Sequence, residues 1–97
     1  MATKPKIRVR EILIAEDEKP LARALELKLK HSGYAVQTAL NGELALDLLT
    51  KGKFDMLLLD LMMPKVDGFQ VLEAMKKRGD KTPVIVLTNL SQPEDEK

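Results

Sequence analysis

Three apolar runs in this 97-residue chain stop on groups that could do chemistry together. Ile12-Leu13-Ile14-Ala15 ends at Glu16-Asp17-Glu18, Met56-Leu57-Leu58-Leu59 ends at Asp60, and Val84-Ile85-Val86-Leu87 ends at Thr88-Asn89. An ionised carboxylate is costly inside an apolar strand, but at the strand's carboxyl end it can reach solvent or a cation. A single acid in that position ordinarily just ends a strand or caps the next element. Three run ends carrying compatible groups mean more. Glu16, Asp17 and Asp60, if brought together, would repel one another and raise each other's pKa unless a cation balanced them. An all-oxygen set with room for water suits Mg²⁺ better than zinc. Such a cation can grip a phosphoryl group, and an Asp can attack phosphorus to form an aspartyl phosphate. Asp60 is the candidate nucleophile, and the Thr88 hydroxyl could donate to a phosphoryl oxygen.

For these groups to meet, the runs must be neighbouring strands that end at one edge of a sheet. Each run is apolar without alternation, as in a strand buried on both faces of a parallel sheet. Pro64 and Gly68 close the Asp60 run too soon for a buried helix. Between the runs lie helical patterns. Pro20 suits a first turn, Leu21, Ala24, Leu25 and Leu29 form one apolar stripe, and Gly33 is a C-terminal stop. Tyr34 to Ala39 reads as a second strand, more polar and so nearer a sheet edge. A second helix begins at Asn41-Gly42, turns Leu44, Ala45, Leu48 and Leu49 inward, and ends at Gly52. A third packs Phe69, Leu72 and Met75 inward and leaves at Gly79-Asp80. The alternation of strand and helix predicts parallel strands with right-handed crossovers and helices on both faces. Ligands of such sheets sit outside the carboxyl ends of the strands, where neighbouring crossovers diverge. With the first and third strands adjacent, Glu16, Asp17 and Asp60 share that place.

Bulk properties narrow the class. The length allows one domain. A net charge of +1 exerts no overall pull on nucleic acid or membrane, and three aromatic residues cannot build a base-stacking platform. With no cysteine, there is neither a disulfide framework nor a thiolate metal site. The apolar runs are too short to cross a bilayer, and residues 1–10 are basic without the apolar core of a secretory signal, so a cytoplasmic location is expected. Lys4, Lys6, Arg8 and Arg10 read as a solvated lead-in rather than a polyanion-binding arm. At the other end, Ser91-Gln92-Pro93-Glu94 has capping-box spacing, and Asp95 and Glu96 suit a helix N-terminus. A helix is announced there and stops at Lys97, so the chain looks cut off.

The stretches ILIAEDE, LLLDLMMPKVDG and TPVIVLTNLS together resemble the receiver domain of two-component response regulators, of the CheY-like type, over Glu11 to Lys97. The resemblance implies an α/β fold with a flavodoxin-like, doubly wound parallel sheet of order 2-1-3-4-5. It also implies Asp60 as phosphoacceptor for a histidine kinase or phosphotransfer protein. Glu16 and Asp17 match the acidic pair that binds Mg²⁺, the Met62 backbone carbonyl would complete the metal shell, and Pro64 and Gly68 match the loop after the acceptor. Thr88 matches the switch hydroxyl. Family members continue through a further helix, a fifth strand and a last helix, which carry a Lys and an aromatic switch residue that have no counterpart here. The expectation is therefore a receiver over 11–97 that lacks its fifth strand, with sheet order 2-1-3-4 and impaired phosphorylation. It should be a signalling module and not an enzyme. It should self-associate through its fourth strand, or take a complementing C-terminal segment. Two alternatives stay open. One is an inert, receiver-derived scaffold; the other is a Mg²⁺-dependent phosphohydrolase. Hydrolases of the haloacid dehalogenase type, however, want a second Asp where Met62 stands.

Overall fold

In this computed structural model, residues 9–63 and 66–87 are described. The lead-in through Arg8, Pro64, Lys65, Thr88 and the Ser91 capping box lie outside them. Seven elements alternate: β1 Glu11–Ala15, α1 Lys19–His31, β2 Ala35–Ala39, α2 Gly42–Lys51, β3 Met56–Asp60, α3 Gly68–Arg78 and β4 Val84–Leu87. The strands form one sheet of order β2-β1-β3-β4, and every pairing is parallel. That is the order the resemblance to receiver domains implies, and the parallel pairing is what the strand–helix alternation predicts. β1 and β3, the two most apolar runs, take the middle, where both faces and both edges are covered. The more polar β2 lies at one edge. Among the described residues no helix is long and apolar enough to cross a membrane.

Alternate residues of the central strands point to opposite faces. Leu13, Ala15, Leu57 and Leu59 meet Ala45 and Leu49 of α2 and Val71 and Met75 of α3 in the larger core. Ile12, Ile14 and Leu58 form a smaller core beneath Leu25 and Leu29 of α1. Two helices therefore cover one face and a single helix covers the other. β4 contributes Val84 to the first core and Leu87 to the second, while Ile85 and Val86 stay 47% and 41% exposed.

Local chemistry sets the helix ends. Pro20 sits in the first turn of α1, where a missing N–H costs nothing. Asn41 caps α2, its Oδ1 accepting the Leu44 N–H at 2.8 Å. Asp67 and Gln70 form a reciprocal capping box at the start of α3. Gly79 ends α3 in the left-handed region at φ 70°, a conformation that suits glycine.

Four inward-facing assignments from sequence periodicity, on three helices, are corrected. Leu21 and Ala24 are exposed and Ala22 is buried, while Leu25 and Leu29 of the expected stripe do pack on the core. Leu44 is exposed because the buried line of α2 runs through Gly42, Ala45 and Leu49. Phe69 is 60% exposed at the start of α3, where Val71 and Met75 face the sheet. Adjacent helical positions differ by roughly 100° in direction, so an error of one position turns a residue off the core.

Candidate functional site

β1 delivers Glu16 just beyond its last paired residue, and the ladder to β2 continues one step there: the Glu16 N–H donates to the Ala39 carbonyl at 3.0 Å. Ala15 is in register with Leu59, so the next residue on each strand, Glu16 and Asp60, stand side by side. Both are buried, 2% and 4% exposed, in a sheet whose interior is otherwise apolar. Asp17 follows half-buried, and one carboxylate oxygen from each of Glu16, Asp17 and Asp60 lies within 4.8 Å of the others. The sequence-predicted acids do meet.

Short hydrogen bonds fix two of them. The Glu18 N–H donates to Glu16 Oε2 at 3.0 Å, and the Met62 N–H donates to Asp60 Oδ1 at 2.9 Å. Burial pushes the Glu16 carboxyl up to about 7, the Glu18 N–H opposes that rise, and the charges of Asp60 and Asp17 add to it. A group so disposed is waiting for positive charge. Beside the acids opens a cleft of about 400 Å³ lined by Asp17, Glu18, Asp60, Leu61, Met62, Met63 and Asp67. Its described walls carry no cationic side chain. Hard oxygen donors, space for water and two buried carboxylates with no described cation beside them together fit a small divalent cation such as Mg²⁺.

The loop after β3 forms one wall of the cleft. It returns so closely that a Cβ on Gly68 would stand 2.5 Å from Leu61 Cα and 2.6 Å from the Asp60 carbonyl oxygen, so only glycine fits there. The Gly68 N–H donates to the Leu61 carbonyl at 3.2 Å. Met62 is in place at the cleft, with an exposed side chain and its N–H committed to Asp60. Glu18 and Asp67 are the lining residues that motif reasoning left out. Asp67 stands in the loop expected before the third helix, and its place on the cleft wall depends on how that loop folds back. Thr88 lies outside the described residues; it directly follows Leu87, which is in register with Asp60.

Comparison with known proteins gives a consistent picture. The family model described as "Response regulator receiver domain" matches residues 12–97. The uncharacterized transcriptional regulatory protein YkoG of Bacillus subtilis is 44% identical over 77 residues, which are 79% of this chain and 34% of that protein. The response regulator ArlR of Staphylococcus aureus is 39% identical over 85 residues, 88% of this chain and 38% of that one. The chain thus spans about a third of the length of these curated relatives. Among solved structures, the response regulator protein TrrA from Thermotoga maritima in complex with Mg²⁺-BeF superposes with a TM-score of 0.79 at 34% identity, covering 86% of this chain and 72% of that one. The Francisella response regulator 1452 receiver domain gives 0.80 at 33% identity, covering 88% and 70%.

Proposed function

The chain belongs to the response regulator receiver domains, and from that membership we propose that it accepts a phosphoryl group on Asp60 from a histidine kinase or phosphotransfer protein. The observation that carries this reading is the near-complete burial of Asp60 within 4.8 Å of the Glu16 and Asp17 carboxylates, at the mouth of a cleft. A carboxylate oxygen of Asp60 attacks phosphorus; the new O–P bond forms as the P–N bond to the donor imidazole breaks, and that imidazole takes up a proton. Met62 N–H holds the Asp60 rotamer, which keeps the nucleophile aimed into the cleft. Glu16, Asp17, Asp60 and the Met62 carbonyl would hold Mg²⁺, and when bound it would offset the charge on the phosphoryl oxygens. Thr88 would donate its hydroxyl to the transferred group. No turnover of substrate is needed; the product is the modified protein, acting in the cytoplasm. Relatives such as YkoG are named as transcriptional regulatory proteins, and DNA contact in such proteins would fall outside the part this near-neutral chain matches.

Incorporation of phosphate from acetyl phosphate, with and without Mg²⁺, tests the proposal. Mg²⁺-dependent labelling that disappears in Asp60→Asn is expected, and labelling that survives the substitution would refute the assignment. The competing hydrolase reading predicts sustained phosphate release from unrelated monoesters, and Met62 weighs against it.

A specific observation also points to a partner. β4 is an outer strand of the described sheet, and its neighbours Ile85 and Val86 are both exposed although they point to opposite faces. Beside it, a cavity of about 360 Å³ on the α1 face is lined by Ile12, Leu29, Met56, Leu58 and Ile85 among others. An uncharged, apolar edge of this kind is what natural sheets protect against pairing. We propose a second copy of the chain as the occupant, pairing β4 with β4; a complementing C-terminal segment would instead leave the chain monomeric. An apolar contact of about 200 Å² would contribute roughly 5 kcal/mol.

A further inference from the structure

We infer that Gly42, which touches none of the acids, is a positioning residue for the metal and phosphoryl site, acting through the loop that leaves Asp60; the inference rests on the function proposed for that site. Gly42 opens α2 and is buried. Its backbone is ordinary helix, so a need for left-handed conformation does not explain a glycine there, and alanine would suit the helix better. Close approach explains it. A Cβ at residue 42 would overlap the Val66 carbonyl oxygen and stand 2.8 Å from Val66 Cγ1. Real side chains do not occupy such positions, and the obstacle is partly backbone, so rotating a side chain cannot relieve it.

Val66 belongs to the segment that shapes the cleft. Upstream, Met63 is 5% exposed and anchored in the larger core, and Met62 N–H is bonded to Asp60. Downstream, Asp67 lines the cleft and is pinned by its exchange of hydrogen bonds with Gln70. Gly68 lies against the Asp60 carbonyl. The loop is thus held at both ends next to the acids, and the start of α2 is the surface on which its Val66 rests. A methyl group at residue 42 pushes Val66 away, and the displacement passes directly to Asp67, the next residue, which walls the cleft. Metal sites lose affinity when the groups that orient their ligands shift, typically by 10–100-fold.

The same helix supplies the control. A Cβ on Gly52, its C-cap, would meet only Leu48 O at 3.7 Å and Phe54 Cε2 at 3.8 Å, ordinary contacts. Mg²⁺ affinity is measured by NMR titration of the whole chain, well below the melting temperature of every variant, following the Met62 and Val66 amides. Gly42→Ala should raise the Mg²⁺ Kd at least fivefold and shift both amides before any metal is added. Gly52→Ala should stay within twofold of wild type. Asn41→Ala, which removes the α2 cap, should lower Tm yet leave the Kd within twofold, separating positioning from stability. A folded Gly42→Ala protein with wild-type Kd would overturn the inference. If Gly42→Ala does not fold, Val66→Ala loosens the same contact from the loop side and should raise the Kd at least threefold; wild-type affinity there would overturn it equally. A wild-type chain that takes up Mg²⁺ no better than Asp60→Asn would instead bring down the site reading, and this inference with it.

Discussion

The two faces of the sheet are finished to different degrees. On the α2–α3 face, Leu13, Leu57, Leu59, Ala45 and Val71 are completely buried, and Arg78 at the end of α3 reaches back to α2, donating to Thr50 Oγ1 at 2.6 Å and to the Leu46 carbonyl at 3.4 Å. On the opposite face α1 alone covers Ile12 and Ile14, and among the described residues the cover thins toward β4 on both sides, leaving Ile85 47% exposed on the α1 face and Val86 41% exposed on the other. The loop that walls the acid cleft rests on the finished face, through Met63 in its core and Val66 on Gly42. A site whose geometry must hold to a fraction of an ångström needs a rigid support, whereas an incompletely covered face is where a second surface can bind without displacing anything.

The largest expected effect sharpens this at the site itself: Asp60→Asn should abolish phosphoryl incorporation and weaken Mg²⁺ binding at least tenfold while the fold persists. Acetyl phosphate labelling and metal titration of the same sample check both. Next comes the direct contrast of the two faces. Leu59→Ala should lower unfolding free energy by about 3 kcal/mol, the cost of a methylene-lined cavity in a packed core. Ile85→Ala should cost less than about 1 kcal/mol in the monomer, because much of that side chain is already in water. Denaturant melts of the two at low concentration would break the comparison if the costs came out alike.

A subtler signature lies in pH. The Glu16 carboxyl is held at about 7 in the fold against 4.5 for an unperturbed group, so the fold favours its protonated form. The raised value means that its stabilising contribution is complete below 4.5 and is lost as pH rises through about 7, without further change above that. Metal-free melts should therefore show Tm falling across that window, and Glu16→Gln should flatten the curve. Saturating Mg²⁺ should restore stability chiefly at the upper end, where the carboxylate is ionised. A metal-free Tm that rises from pH 5 to 7 in wild type but not in Glu16→Gln would contradict the assigned direction. The smallest effect on the folded chain is at the open edge: Ile85→Ser should leave the monomer's melt almost unchanged yet shift sedimentation toward monomer across a dilution series. Identical sedimentation of wild type and variant would remove the β4 contact from the account.

Much of this was legible in the residues. Uninterrupted apolar runs in Ile12–Ala15 and Met56–Leu59 announced central parallel strands, because only a strand covered on both faces tolerates apolar side chains at every position. Asp60 and Glu16 declared themselves because a carboxylate ending such a run has to face a cleft or a cation. Asn41 was readable as the start of α2, since a cap depends only on backbone groups two or three positions away. What periodicity could not settle was which of two adjacent helical residues faces the sheet, and so Ala22 rather than Leu21 is buried, and Phe69 and Leu44 lie outside. That choice depends on the rotation of each helix against its neighbours. Nor does a single strand reveal its cover: Val84 to Leu87 reads like β1, but two of its four residues stay exposed, because cover comes from what packs alongside. The meeting of Glu16, Asp17 and Asp60 was expected on the condition that β1 and β3 are neighbours, a condition only the tertiary structure meets, and the seat of Val66 on Gly42 belongs to the tertiary structure alone. They follow from strand register and loop return between residues more than twenty positions apart, and such contacts are fixed by packing the whole chain at once.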